Sequence, residues 1–252
     1  MAMRVERLSV RYGALVALEE VSWEVAAGEL LGIIGPNGAG KSSCYDAATN
    51  MVRRDGRVFL AGAEVTAVPP HGLAALGLRR AFQQNAFFAE LSVLDNAVAV
   101  LSREGGTGLL ASVLAPWREA ARRRALEAEA AALLRRFGVP AELHGLRPSS
   151  LPYGTQRMLS IALAWGDGAR VLMLDEPAAG LGGEDMARLR DLLLRLKAEG
   201  AALVVVEHHM DLIMSVADRI VVLDGGRLLA TGTPREIQAD PRVLEAYLGR
   251  AA

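Results

Sequence analysis

The 252-residue chain has a single cysteine and almost no imbalance of charge. One cysteine excludes an internal disulfide and a cysteine-based metal cluster. Cys44 reads as a small buried hydrophobe on a helix rather than as a reactive thiol. The 28 lysines and arginines against 29 acidic residues leave a net charge of −1. The basic excess of a nucleic-acid-binding domain is therefore missing, and no nucleic-acid partner is expected. No stretch reaches the ~18 consecutive apolar residues of a membrane span. The opening "MAMRVERLSV" lacks the apolar segment of a signal peptide. The expectation is a cytosolic protein whose membrane role, if any, comes through a partner. Internal repeats and low-complexity segments are also missing.

What is there is a chain able to bury a sizeable core, 52% hydrophobic and 23% charged. "VERLSVRY" alternates in part, "ALEEVSWEV" alternates better, and "ELLGIIG" is a continuous apolar run suited to a buried strand. "DGRVFLAGAEV" reads as a hairpin-like pair and "LRRAFQQ" as a strand leaving the core. From about Asn85 to Ser150 the pattern turns helical. In "WREAARRRALEAEAAALLRRFG", Leu126, Ala130, Leu133, Leu134 and Phe137 share a face, and Gly138 ends the helix. The Arg122–Arg124 run falls on its solvated side. Then come the strand "ARVLMLDEP", the helix "GEDMARLRDLLLRLKAEG", the strand "ALVVVEHH" and a hairpin turning at Asp224-Gly225-Gly226. Strands alternating with helices imply a mainly parallel sheet.

"GPNGAGKSS", Gly35 to Ser43, fits G-x-x-x-x-G-K-[ST] between a predicted strand and a helix. Gly35, Gly38 and Gly40 let backbone N–H groups close on phosphate oxygens. Lys41 supplies a point charge for the β- and γ-phosphates, and Ser42 a hydroxyl for Mg²⁺. Pro36, Asn37, Ala39 and Ser43 complete the phosphate loop. "VLMLDE" sets Asp175 and Glu176 at the end of a hydrophobic strand, where ligands bind in open α/β sheets. Asp175 can hold Mg²⁺ through water, and Glu176 can orient an attacking water. Together these motifs specify a nucleotide hydrolase without saying which.

The order of several motifs narrows this. Tyr12, the phosphate loop, Gln83 in "AFQQ", "LPYGTQR", "LDEP" and His208 in "VVVEHHM" follow one another as in the ATP-binding cassette (ABC) ATPases, and the resemblance covers nearly the whole chain. It implies an α/β fold: a phosphate-loop core with a mainly parallel sheet, an antiparallel β subdomain and a helical insertion. The chain would be one domain over 1–252 with a helical subdomain inserted at 85–165. The cofactors implied are ATP and Mg²⁺. The resemblance makes Tyr12 an adenine-stacking residue, Gln83 (rather than Gln84) a contact to Mg²⁺ or water that reports to the membrane partner, and His208 a contact to the γ-phosphate. It leaves His209 exposed and incidental. "DEPAAGL" and "GTPREIQADPRVLEAYLG" are similar to the larger ATPase of importers for branched-chain and other hydrophobic amino acids. That implies permease partners at the cytoplasmic face of the membrane, a second homologous ATPase and, indirectly, a periplasmic solute-binding protein. The ATPase of a lipid or lipopolysaccharide exporter is the first alternative, and a soluble switch on ribosomes or DNA the second.

Leu151, Pro152, Tyr153, Gly154, Thr155 and Gln156 stand where the family signature Leu-Ser-Gly-Gly-Gln serves the other subunit's ATP. Here Pro152 replaces the serine and Tyr153 the first glycine, and Gly182 replaces an aspartate that also acts across the dimer. Elements serving the chain's own ATP are intact. Tolerance of variation and an unequal heterodimer both accommodate this. In "QQNAFFAEL", Phe87 and Phe88 fall where the family meets its permease, although a phenylalanine pair in a loop reads more readily as core.

Overall fold

The computed structural model describes residues 1–81, 87–102 and 116–248. Gln83 and Gln84 lie outside the described residues. The chain divides into two compact units. One comprises Met1–Gln83, Ala169–Gly180 and Met186–Ala252, the other Gln84–Gly168 and Leu181–Asp185.

The first unit holds two sheets. Strands β1 (Met3–Tyr12), β2 (Leu15–Val25), β4 (Asp55–Leu60) and β5 (Ala63–Glu64) form an antiparallel sheet of order β2-β1-β4-β5. Strands β3 (Leu30–Ile34), β6 (Leu78–Ala81), β7 (Val171–Asp175), β8 (Ala202–Val206), β9 (Arg219–Asp224) and β10 (Arg227–Gly232) form the second, of order β10-β9-β3-β8-β7-β6. All its pairings but β9–β10 are parallel. All five residues of β3 and of β8 are buried, as expected of central parallel strands covered on both faces. That is why "LLGII" and "ALVVV" are continuous apolar runs. The β9–β10 hairpin turns on Gly225 and Gly226, both with positive φ, and so fits the two-residue turn that matches strand twist.

The imperfect alternation of β1 has a backbone cause. Val5 and Leu8 both point into the core although three residues apart, because the register slips between them. Arg7 takes a φ of 48° there, and its N–H donates to Ser22 Oγ at 2.8 Å. Glu20 does the same on β2, with φ 52° and a bond to Ser9 Oγ at 3.0 Å. These are bulges whose displaced N–H groups are recovered by serine hydroxyls. Cys44, on helix α1 (Lys41–Ala48), is buried and accepts from Trp23 Nε1 at 3.2 Å. Burial pushes its thiol up to about 11, which leaves it unreactive at neutral pH.

The second unit is helical: α3 (Val93–Leu101), α4 (Pro116–Arg136) and α5 (Tyr153–Trp165), following the short α2 (Pro70–Ala75) of the first unit. Ala130, Leu133, Leu134 and Phe137 are buried, as their spacing predicts, and Leu126 is half-buried. Arg123 pairs with Glu127 one turn on at 2.9 Å on the exposed side. Trp165 closes the α4–α5 contact with its ring 5.9 Å from that of Phe137. The first turn of α3 is satisfied by Ser92 Oγ, which accepts from Asp95 N, and by the carbonyls of His144 and Leu146. Buried Asn96 ties down the preceding loop: its Oδ1 accepts from Phe88 N at 2.9 Å, and its Nδ2 donates to Phe88 O at 3.1 Å. The loop thereby presents Phe88 with 62% of its surface exposed, which corrects the core expectation for that residue. Among the described residues no helix is long and apolar enough to cross a membrane.

Candidate active site

The phosphate loop runs from the end of β3 into α1, with Gly40 as the residue before the helix and a φ of 95°. Backbone packing fixes two of its glycines. A Cβ on Gly35 would lie 2.2 Å from Leu223 O, and one on Gly40 would lie 2.5 Å from Ala17 O. The loop is held from outside as well: Gly226 N–H, at the β9–β10 turn, donates to Ala39 O at 3.1 Å. Lys41 is buried at the base of the loop, and its Nζ donates to Gly35 O at 2.7 Å and Pro36 O at 3.1 Å. Burial lowers the pKa of the ammonium, and the charges of Glu176 and Asp175 oppose that shift. Asn37 and Ser42 are exposed, Ser43 is half-buried, and Tyr12 is half-exposed at the end of β1.

Below the loop, the Tyr45 hydroxyl on α1 donates to Ala81 O at 2.6 Å and lies 3.1 Å from Met173 O. One side chain thus ties α1 to the strand leading toward Gln83 and to β7, which carries the acids. Arg80 stacks over the Tyr45 ring at 4.5 Å and pairs with Asp46 at 3.0 Å.

Asp175 and Glu176 close β7. Burial, then the Glu176 and Asp46 carboxylates, push Asp175 up to about 6. Glu176 takes a φ of 46°, a left-handed conformation that costs a non-glycine residue about 1–2 kcal/mol. It is held there by Glu176 N–H donating to Val206 O at 2.8 Å and by Ala179 N–H donating to Glu176 O at 3.1 Å. The result aims its carboxylate at His208, whose Nδ1 lies 3.5 Å from Oε1. His208 follows β8 and is about half exposed. His209 lies against it with ring centroids 4.5 Å apart and planes tilted by 34°, and it is half-buried rather than exposed as expected from sequence. Asp175, Glu176, His208 and Lys41, scattered over 168 positions of sequence, are brought together in the first unit.

The signature-like segment lies in the second unit. Pro152 precedes α5 without a side-chain cap, as its lack of a hydroxyl requires. Gln156 Nε2 donates to Leu151 O at 2.9 Å. Tyr153 is half-exposed, and its hydroxyl accepts from buried Arg157 at 3.0 Å, so the aromatic ring is anchored rather than loose. Gly154 packs under a side chain: a Cβ there would sit 2.1 Å from Asp185 Oδ2, which would have to swing aside. Gly182 has nothing within 4 Å of its Cβ position.

Two residues that sequence reading passed over complete these sites. One is Asp185. The other is Glu207, wholly buried at the end of β8 and bonded to three backbone N–H groups. Its signal in sequence was a carboxylate ending the apolar run "ALVVV" directly before the histidines.

Comparison with known proteins agrees with this geometry. A family model described as ABC transporter matches residues 18–179. A second, described as branched-chain amino acid ATP-binding cassette transporter, matches residues 227–252. The chain is 36% identical over 252 residues to the high-affinity branched-chain amino acid transport ATP-binding protein LivG of Salmonella typhimurium, covering 99% of this chain and 98% of that one. Identity to the lipopolysaccharide export system ATP-binding protein LptB of Acidithiobacillus ferridurans is 32%, over 98% of this chain and 96% of that one. The solved structure of a nucleotide-free ATP-binding cassette from an ABC transporter superposes with a TM-score of 0.83 at 26% identity, covering 98% of this chain and 99% of that one. The chain belongs to the ABC transporter family, as one of its nucleotide-binding ATPase cassettes.

Proposed function

We propose that the chain hydrolyses ATP to drive import of branched-chain or other hydrophobic amino acids through permease subunits at the cytoplasmic face of the membrane. The observation that carries the chemistry is the 3.5 Å approach of His208 Nδ1 to Glu176 Oε1 beside Lys41 and Asp175. In this reading the Gly35–Ser43 loop wraps the phosphates with its N–H groups, and Lys41 neutralises them. Tyr12 offers a face to the adenine. Glu176 orients the attacking water, and His208 contacts the γ-phosphate. Catalysis is electrostatic and positional. The site suits a divalent cation: burial, and after it the neighbouring Glu176 and Asp46 carboxylates, hold Asp175 up to about 6, and a nearby positive charge offsets both penalties on the ionised form. Ser42 and Asp175, with Gln83, would hold Mg²⁺, which supplies charge neutralisation to the phosphates when bound.

The amino-acid substrate class rests on the relative named for branched-chain amino acid transport and on the matching C-terminal family model. The lipopolysaccharide-export relative is more distant. A second, homologous ATPase is the proposed partner at the signature side, with a solute-binding protein acting through the permease. The test is reconstitution with the neighbouring permease, ATPase and binding-protein genes. ATP hydrolysis stimulated by leucine, isoleucine or valine supports the reading, and stimulation by lipopolysaccharide alone overturns it. Lys41→Ala should weaken ATP binding itself.

A further inference from the structure

We propose that Glu207 is a positioning residue that locks the segment following Glu176 to the histidine loop, so that the two move as one piece. The inference rests on the roles proposed for Glu176 and His208. Glu207 has no exposed surface. Its Oε1 accepts from Ala178 N–H at 2.7 Å, two residues past Glu176. Its Oε2 accepts from His208 N–H at 2.9 Å and from His209 N–H at 3.1 Å. The two oxygens therefore face two different loops. His208 Nδ1 lies 3.5 Å from Glu176 Oε1 and 3.9 Å from Glu207 Oε2.

The geometry says why a carboxylate stands here. All three bonds come from backbone N–H donors, and both oxygens are used. Glutamine has the same shape but only one acceptor oxygen. It can serve Ala178 or the histidine pair, and it turns N–H toward N–H on the other side. An apolar residue would leave all three donors unpaired in the interior. The β7 and β8 strands fix the roots of both loops, since Asp175 pairs with Val206. Glu207 joins the first residues of both loops beyond the strands. It thereby sets the separation of Glu176 from His208 and also anchors the start of the Ala178–Gly182 segment. A change at either loop is passed to the other through one buried side chain. Glu207 touches neither reacting atoms nor phosphate in this scheme, and acts only through Glu176 and His208.

The experiment compares Glu207→Gln with the wild type by ATP binding, steady-state ATPase kinetics and amide hydrogen exchange. The expected result is an ATP Kd within threefold of wild type, a kcat lowered at least tenfold, and exchange at least tenfold faster either at Ala178 or at His208 and His209. Unchanged kcat with faster exchange would make Glu207 a structural tie only and overturn the proposal. A Kd that rises in step with the loss of kcat would also overturn it, by placing the damage in the phosphate cradle. Should the variant not fold, exchange in the wild-type protein decides. The Ala178, His208 and His209 amides should open together, at rates within threefold, and independent opening of Ala178 overturns the proposal. Failure of the Glu176 role itself would appear instead as normal turnover in Glu176→Gln, which leaves the amide measurements untouched.

Discussion

The carboxylate of Asp185 lies directly over Gly154, the second residue of α5, so that a Cβ there would sit 2.1 Å from Asp185 Oδ2 unless that side chain moved. The surviving glycine of the signature is thus in contact with a carboxylate of this chain, which a larger residue would have to displace. Gly154→Ala should lower stability by about 1–2 kcal/mol, the cost of overpacking at a partly open site. In an Asp185→Ala background the same change should be neutral or stabilising, because alanine is favoured over glycine in a helix by about 1 kcal/mol. A double-mutant cycle by chemical denaturation reads the coupling, and additive effects would refute the contact.

Pro152→Ser should act in two separable ways. A serine before α5 caps an N–H that proline cannot, which should add about 0.5–1.5 kcal/mol to stability. Under the proposed pairing with a second ATPase, it also restores a hydroxyl donor toward that subunit's ATP. In a reconstituted heterodimer, hydrolysis at the partner's site should rise. A gain in stability with no gain in rate would mean that the Gly154 N–H and the helix N-terminus already suffice.

The exposure of Phe88 makes its substitution a clean test of docking. Phe88→Asp alters a mostly exposed side chain, so thermal stability and ATP affinity should stay within about 0.5 kcal/mol of wild type, as for ordinary surface changes. Coupled transport in proteoliposomes should be lost. Unfolding would return the residue to the core, and normal transport would remove it from the interface.

Asp175 predicts a pH signature. A carboxyl raised from 3.8 to about 6 on folding binds its proton more tightly in the folded state. The folded protein has that advantage in full below about pH 4 and loses it as pH rises through about 6. Charged Asp175 therefore burdens the nucleotide-free protein at neutral pH. Asp175→Asn should raise stability at pH 8 by about 1–2 kcal/mol, a figure discounted for partial exposure, with little gain at pH 4. Thermal melts at the two pH values check this, and an equal effect at both would refute the burden.

What the sequence made legible is what neighbours along the chain enforce. The phosphate loop could be read because its glycines, lysine and serine sit at fixed spacing between a strand and a helix. The buried strands could be read because both faces are covered. Glu207 and Asp185 could not, since their partners, Ala178 and Gly154, lie about 30 residues away. The bulges at Arg7 and Glu20 were visible only as faults in alternation. The exposure of Phe88 is not legible because hydrophobicity says nothing about the loop that Asn96 ties down.

In the proposed function Glu176, poised 3.5 Å from His208, carries the hydrolytic step on ATP held by this chain's own loop. The direct measurement is ATP binding and single-turnover hydrolysis by Glu176→Gln beside wild type. The expected result is an ATP Kd within threefold of wild type and a hydrolysis rate lowered at least ~100-fold, the scale of a lost general base. Hydrolysis at the wild-type rate, with binding intact, would contradict it.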